Sequence, residues 1–330
     1  MNMPAAMKAI EIIAPGGPEV LRLTERPMPC PAMGELLIAV TAAGLNAGDI
    51  MQRRGLYPPP RGVTDVPGLE VSGRVAAIGE AVQGWSVGDP VCALLAGGGY
   101  ATHAVVPAVQ CLPIPEALPL RDAAALPEAL FTCWMTLVGD GGLAAGDTVL
   151  IHGGNSGVGT TGISLAKLLG AVVIATARSP EKVEVCRALG ADLVIDSTAE
   201  DFVERIREAH LAPDIVLDMI GASTLARNMS VMAPRGRHIS IGLLAGATAE
   251  FPMATMLMKQ LRIMGSRLRD RSVAEKGAFA AAIRERVWQA VAAGRLAPVI
   301  HAALPLADAA EAHRLFERGG HIGKIILTTE

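Results

Sequence analysis

The chain has 330 residues, 51% of them hydrophobic and 18% charged, with a formal net charge of −3. That length favours two domains over one, and the composition is that of a globular chain with no compositional sign of disorder. Interspersed charges without a basic run argue against nucleic acid as the main partner. No apolar run approaches the ~18 residues of a membrane span.

The N-terminal "MNMPAAMKAI" lacks the charged head and apolar run of a secretory signal. The stretches "ELLIAVTAAGLN", "GLEVSGRVAAIG", "DPVCALL" and "ATHAVVP" then predict short strands between turn residues, with no long helix. The first third therefore reads as an irregular, β-rich, barrel-like domain. From Pro127 the pattern changes. "EALFTCWMTLVGDG" has helical periodicity, and "GDTVLIHGG" is an apolar strand running into glycines. Helices at "VGTTGISLAKLLG", "SPEKVEVCRALG", "EDFVERIREAH" and "GASTLARNMSVMAP" alternate with strands at "AVVIATAR", "ADLVIDS", "PDIVLDMIG" and "GRHISIG". Such alternation predicts an α/β doubly wound parallel sheet. A helix over "EKGAFAAAIRERVWQAVAAGRL", another over "ADAAEAHRLFERG" and a strand at "GKIILTT" follow. This tail is too short for a domain, so it is expected to complete the first one. The predicted boundaries are 1–126 with 266–330 for the β-rich domain and 127–265 for the inserted one.

The turn "HGGNSGVG" stands at the first strand-to-helix junction of the alternating unit. There a pyrophosphate needs close backbone approach and the free N–H groups of a helix start. Gly153, Gly154, Gly157 and Gly159 supply that freedom, and Ser156 adds a hydroxyl able to donate to phosphate. About 20 residues on, where an NAD site carries an acid, the strand tip is "ATARSPEK". Arg178, Ser179 and Lys182 there suit the 2′-phosphate of NADP. The seven histidines and five cysteines show no ligand spacing, so no metal site is predicted. Cys30, Cys92, Cys111, Cys133 and Cys186 read as reduced thiols of a cytoplasmic protein. His152 is assigned to packing and local hydrogen bonding.

The stretches "GLNAGDIMQRRGLYPPP", "PGLEVSGRVAAIG", "VGDPVCALLAGGGYATHAVVP", "HGGNSGVGTTGISLAKLLGA", "LRDRS" and "HIGKIIL" resemble the medium-chain dehydrogenase/reductase superfamily. The resemblance is to its zinc-free NADPH:quinone oxidoreductase branch, in the tumour-suppressor-inducible subgroup. It implies a Rossmann domain inserted after a GroES-like catalytic domain. Zinc-dependent members carry ligands where this chain has Asn46, Leu69 and Glu128, and a structural zinc lobe between Val91 and Val105, which "CALLAGGGYAT" cannot supply. The resemblance places Asn46 and Tyr57 on the substrate side of the nicotinamide, as hydrogen-bond donors to a quinone carbonyl, with Asp49 supporting them. It assigns Thr132, Gly157, Val158, Gly159, Ser179, Lys182, Gly242 and Leu243 to NADPH and puts Leu268 and Arg269 where the chain crosses back to the first domain; with Gly154, Ser156 and Arg178, read from the residues, these form the expected cofactor set. It departs from relatives at Ser197, often Tyr, and at Arg178, often Gly. The implied activity is NADPH-dependent quinone reduction without a metal. An alkenal or enoyl reductase of the same superfamily and a nucleotide-binding protein with vestigial activity are the alternatives. The family implies a homodimer or homotetramer, with "GRHISIG" and the Met-rich Phe251–Gly265 suited to the contact, unless that stretch is core.

Overall fold

The computed structural model describes residues 4–329; the first three residues of the stretch read for a secretory signal lie outside the described residues. The chain forms two compact units, one of Met1–Phe131 with Arg269–Glu330, the other of Thr132–Leu268.

In the first unit a seven-stranded sheet runs in the order Ile300–Pro305, Lys324–Thr328, Glu35–Gly44, Glu70–Ile78, Pro90–Leu94 and Cys111–Pro113, and His103–Pro107 also pairs with Glu35–Gly44. All but the first pairing are antiparallel. Leu36, Ile38, Val40, Val71, Val75, Val91 and Ala93 form its buried core. Successive strand residues point to opposite faces, so these alternating positions line one face. The tail thus supplies two strands to this sheet. A two-stranded antiparallel hairpin, Ala6–Ile12 with Leu21–Pro27, was not legible in the sequence. Its second strand, LRLTERP, is mostly polar and exposed. The single long helix expected after Glu275 is two helices, Val273–Arg286 and Trp288–Ala292. The break falls at buried Val287, whose φ of −122° leaves the helical range, next to Trp288, whose indole N–H donates to Pro113 O at 2.7 Å.

The second unit holds six parallel strands in the order Leu193–Asp196, Val172–Ala177, Thr148–Ile151, Ile215–Asp218, Arg237–Ser240 and Arg262–Gly265. Thr148–Ile151 comes first in the chain, and later strands are added on one side of it and then the other. The order therefore reverses beside it, the switch point at which open α/β sheets bind ligands. The edge strand Arg262–Gly265 escaped notice because it is half-exposed and lacks an apolar run. The helical stretch after Pro127 changes pitch: Pro127–Cys133 is α-helical and Trp134–Asp140 is a π-helix. The Met-rich stretch is divided: its helix Met253–Lys259 buries no residue and exposes Met253, Leu257 and Met258, whereas Leu261 is buried in the core with Met256 and Ile263 packed against it. No helix among the described residues is long and apolar enough to cross a membrane.

Candidate functional site

In the second unit the glycine turn leaves the C-terminal end of Thr148–Ile151 at the switch point and enters the helix Gly157–Leu168. Ser156 is the N-cap of that helix, its Oγ accepting from Gly159 N at 3.0 Å. The hydroxyl proton is directed to Met219 Sδ at 3.5 Å. Ser156 thus caps the helix through its hydroxyl oxygen, a role the sequence reading did not assign to it. Gly157 and Val158 lie in the first helical turn, whose N–H groups lack intrahelical acceptors. They are the donors left for an anion. The turn is shaped for close approach: a Cβ on Gly154 would lie 2.9 Å from Cys186 Sγ and 3.0 Å from Ala175 Cβ. These features fit a dinucleotide pyrophosphate.

At the tip of Val172–Ala177, Arg178 is exposed and Lys182 half-buried, and among the described residues neither is committed to an ion pair. Ser179 has φ of +134°, unusual for a residue with a side chain, at the start of the helix Pro180–Ala188. Its N–H donates to the Asp196 carboxylate, whose pKa is held down chiefly by Thr198. Ser197, standing where relatives often have Tyr, donates its hydroxyl to Ala177 O at 3.1 Å. Thr132 is buried, and its carbonyl accepts from Thr136 Oγ1 at 2.7 Å. Gly242 packs on the Met219 carbonyl, Leu243 is exposed and Leu268 is buried.

In the first unit Asn46 and Asp49 open the short helix Ala47–Arg53. Asp49 is fully buried and accepts from Asn46 N and Gly68 N, each at 2.9 Å, and from the Tyr100 hydroxyl at 3.4 Å. Tyr100 contacts His313 Nε2 at 3.2 Å, and His313 Nδ1 lies 3.2 Å from Arg53 Nη1. Arg53 can only donate, so His313 accepts at Nδ1 and donates from Nε2. Burial and the adjacent Arg53 hold the His313 pKa near 3, which keeps it neutral. Arg53 ends this row on Glu317 at 2.7 Å. Asp49 is thus fixed by a line of side chains that reaches helix Ala309–Arg318.

Asn46 is also engaged. Its amide donates to Glu70 Oε1 at 2.9 Å and to Gly44 O at 3.4 Å, and its Oδ1 accepts from Lys324 Nζ at 2.5 Å. Lys324 Nζ lies 2.5 Å from Glu70 Oε1 as well, and Glu70 Oε2 accepts from Glu128 N at 2.8 Å. Gly44 makes room for this carboxylate, because a Cβ there would sit 2.1 Å from Glu70 Oε1. Tyr57 lies with its ring 5.0 Å from the Arg269 guanidinium. Arg269 itself donates to Ala96 O, Tyr57 O and Gln52 Oε1 at 2.7, 3.1 and 2.7 Å. Arg269 thus braces the Tyr57 loop. Lys324, Glu70, Tyr100 and His313 were missed. The usable signal was a lone charge at the start of each apolar strand, in "GKIIL" and "LEVSG".

Burial, then repulsion from Glu70, raises the Glu128 pKa to about 8; burial raises that of Asp49 to about 6. Both carboxyls ionise nearer their ordinary range in the unfolded chain. Below that range both states are protonated and nothing is lost. As pH rises, the unfolded chain releases these protons first, so their contribution to stability declines until the folded pKa values are passed. Thermal unfolding followed from pH 5 to 8 should therefore show a flatter profile for Glu128→Gln than for the wild type. Parallel profiles would refute the assignment.

The three positions that carry zinc ligands in zinc-dependent relatives do not fit a metal. Leu69 has no donor atom, and the Asn46 oxygen accepts from the Lys324 ammonium, which is also paired with Glu70. Among the described residues no group of three or more His, Cys, Asp or Glu could hold a metal ion.

A family model described as alcohol dehydrogenase GroES-like domain matches residues 32–116, and one described as zinc-binding dehydrogenase matches 157–285. The chain is 31% identical over 326 residues to the quinone oxidoreductase of Rattus norvegicus, covering 97% of each chain. It is 33% identical over 332 residues to a phenolphthiocerol/phthiocerol polyketide synthase of Mycobacterium tuberculosis, where it spans 15% of that protein's length. A mycobacterial protein solved in complex with NADPH is 30% identical, with a TM-score of 0.87, over 98% of this chain and 100% of that one.

Proposed function

Because the chain belongs to the medium-chain dehydrogenase/reductase superfamily of oxidoreductases, we propose that it reduces quinones or similar conjugated carbonyls with NADPH and without a metal. The observation that carries the cofactor reading is the acid-free tip of Val172–Ala177, with Arg178 and Lys182 uncommitted beside a glycine turn at the switch point. When bound, the nicotinamide supplies the hydride. Gly157 and Val158 bind the pyrophosphate, and Arg178, Ser179 and Lys182 the 2′-phosphate. The remaining residues expected at NADPH (Thr132, Gly154, Gly159, Gly242, Leu243 and Leu268) shape or line its site. Thr132–Leu268 is the nucleotide-binding domain in this reading, and the β-rich unit carries the substrate side.

A quinone is already electrophilic, so the protein needs to orient it and donate to its carbonyl. Asn46 spends its amide hydrogens on Glu70 and Gly44. The donor is therefore the Tyr57 hydroxyl, with Asn46 and Asp49 holding the surrounding backbone. The Lys324 ammonium, held on Asn46 Oδ1 and Glu70 Oε1, supplies the positive charge on this side. Reduction of an activated carbon–carbon double bond is the second reading, supported by the likeness to a segment of a polyketide synthase. Assembly is as a homodimer or homotetramer through the exposed Met-rich face, and the compartment is cytoplasmic.

Following nicotinamide oxidation with 1,2-naphthoquinone and with an enal separates these readings. Turnover of the quinone is expected. Nucleotide binding without turnover of either substrate would sink both. NADPH is expected to bind at least about tenfold tighter than NADH. Arg178→Ala with Lys182→Ala should erase that difference while leaving NADH affinity unchanged, as titration of both nucleotides would show.

A further inference from the structure

Beneath the glycine turn lies a chain of buried polar side chains whose hydrogen-bond directions are fixed from end to end. Asp218, at the tip of Ile215–Asp218, can only accept when ionised. Burial would raise its pKa, but donors led by His238 hold it at about 2. Its Oδ2 accepts from Thr224 Oγ1, Asn228 Nδ2 and His238 Nε2 at 2.7, 3.1 and 3.1 Å. Its Oδ1 accepts from Ile220 N and Gly221 N at 2.6 and 3.2 Å. Because Asn228 donates through Nδ2, its Oδ1 accepts from His152 Nε2 at 2.8 Å. Burial lowers the His152 pKa and keeps it neutral, so Nδ1 is an acceptor facing Thr176 Oγ1 at 3.0 Å. The Thr176 hydroxyl oxygen in turn accepts from Gly153 N at 3.3 Å. His238 Nδ1 has no partner, so the Nε2–H tautomer leaves a lone pair there instead of an orphaned N–H.

Both ends of this chain hold backbone that the NADPH reading uses. Gly153 begins the glycine turn with φ of +66°, and a Cβ there would lie 3.0 Å from Met219 Sδ. Met219 to Gly221 is the turn that Asp218 fixes. Its carbonyl at Met219 limits Gly242, and Gly221 packs against Leu243 Cα. Thr176, His152, Asn228 and Asp218 are all buried, and their side-chain polar atoms are spent on one another and on neighbouring groups of the same unit. A satisfied buried network specifies one geometry, whereas apolar residues of similar volume would serve stability as well.

We infer that Thr176, His152, Asn228 and Asp218 are positioning residues that hold the glycine turn and the Met219–Gly221 turn in register for the dinucleotide. The inference rests on the reading that this turn binds NADPH. Thr176→Val removes the one hydroxyl joining His152 to Gly153 and preserves shape; Thr176→Ser keeps the hydroxyl. Two quantities decide the matter: the NADPH dissociation constant, and amide hydrogen exchange across residues 153–159 in the nucleotide-free protein. The Val variant should bind NADPH about tenfold more weakly, with faster exchange in that segment, and the Ser variant should restore both. Wild-type affinity and exchange in the Val variant would overturn the inference alone. Equal losses in the Ser and Val variants would also overturn it, since the methyl would then be what matters. A wild-type protein that binds neither NADPH nor NADH would overturn the cofactor reading, and this inference with it.

Discussion

Gly159→Ala should weaken NADPH binding by on the order of a hundredfold while Gly162→Ala leaves it within about threefold. The two glycines lie one turn apart on the same helix, Gly157–Leu168, so helix propensity favours alanine equally at both. Their surroundings differ. A Cβ on Gly159 would stand 2.2 Å from Gly153 O and 2.7 Å from both Gly154 C and Gly154 Cα. All three are backbone atoms of the turn itself, so the turn must move. A Cβ on Gly162 would meet Ile151 Cδ1 at 3.3 Å and Cys133 Sγ at 3.4 Å, the ends of side chains that can shift by a few tenths of an ångström. Overpacking of the first kind costs about 1–3 kcal/mol in a well-packed interior. Here it falls on the atoms that set where the Gly157 and Val158 N–H groups point. Circular dichroism should show both variants folded, so the loss can be assigned to the turn. Ser156→Ala makes a useful contrast. It removes the cap to Gly159 N, worth about 1 kcal/mol of helix stability, without forcing backbone apart. Equal NADPH affinity for the Gly159 and Gly162 variants would show that the turn is not the pyrophosphate site.

The parts of the molecule that could be read from the sequence are those whose cause is local. The parallel strands of the second unit are short apolar runs bounded by glycine or charge, and the helices between them carry visible caps and stops. The glycine turn was legible because strand, turn and helix follow one another within about twenty residues. Arg262–Gly265 was not, because an edge strand is specified by a neighbour, Arg237–Ser240, rather than by its own alternation. The side-chain roles diverged for a similar reason. Ser156 was read for the hydrogen its hydroxyl can donate, whereas in the fold its oxygen also accepts at the helix N-terminus. Asn46 and Arg269 carry the right chemistry for a substrate or cofactor contact, yet each finds its partners far along the chain. Asn46 meets Glu70 and Lys324, and Arg269 meets Gln52, Tyr57 and Ala96. Sequence position shows which groups are present in a site. Only the folded backbone shows which of them still have hydrogen bonds to give.

Lys324→Met should destabilise the protein by about 3–5 kcal/mol, more than any other single side-chain change in the polar cluster. The Lys324 ammonium is buried with Glu70, 2.5 Å from its Oε1, and also donates to Leu45 O at 3.1 Å and to Asn46 Oδ1. Methionine keeps the length and the apolar stem of lysine, so packing within Lys324–Thr328 is retained. What remains is a fully buried Glu70 carboxylate with its counter-charge gone, facing Glu128 and Asp49. An uncompensated buried charge accounts for most of the penalty of breaking such a pair. The sign of the double variant follows. Glu70→Gln in the Lys324→Met background removes the stranded charge and keeps a carbonyl acceptor for one of the two donors, the Asn46 amide or the Glu128 N–H. It should recover most of the lost stability, whereas Glu70→Gln alone should destabilise by leaving the ammonium without its carboxylate. Denaturant unfolding of the wild type, both single variants and the double variant gives the coupling energy directly. A coupling near zero would mean that Lys324 and Glu70 are separately solvated. The positive charge proposed for the substrate side would then lose its structural basis.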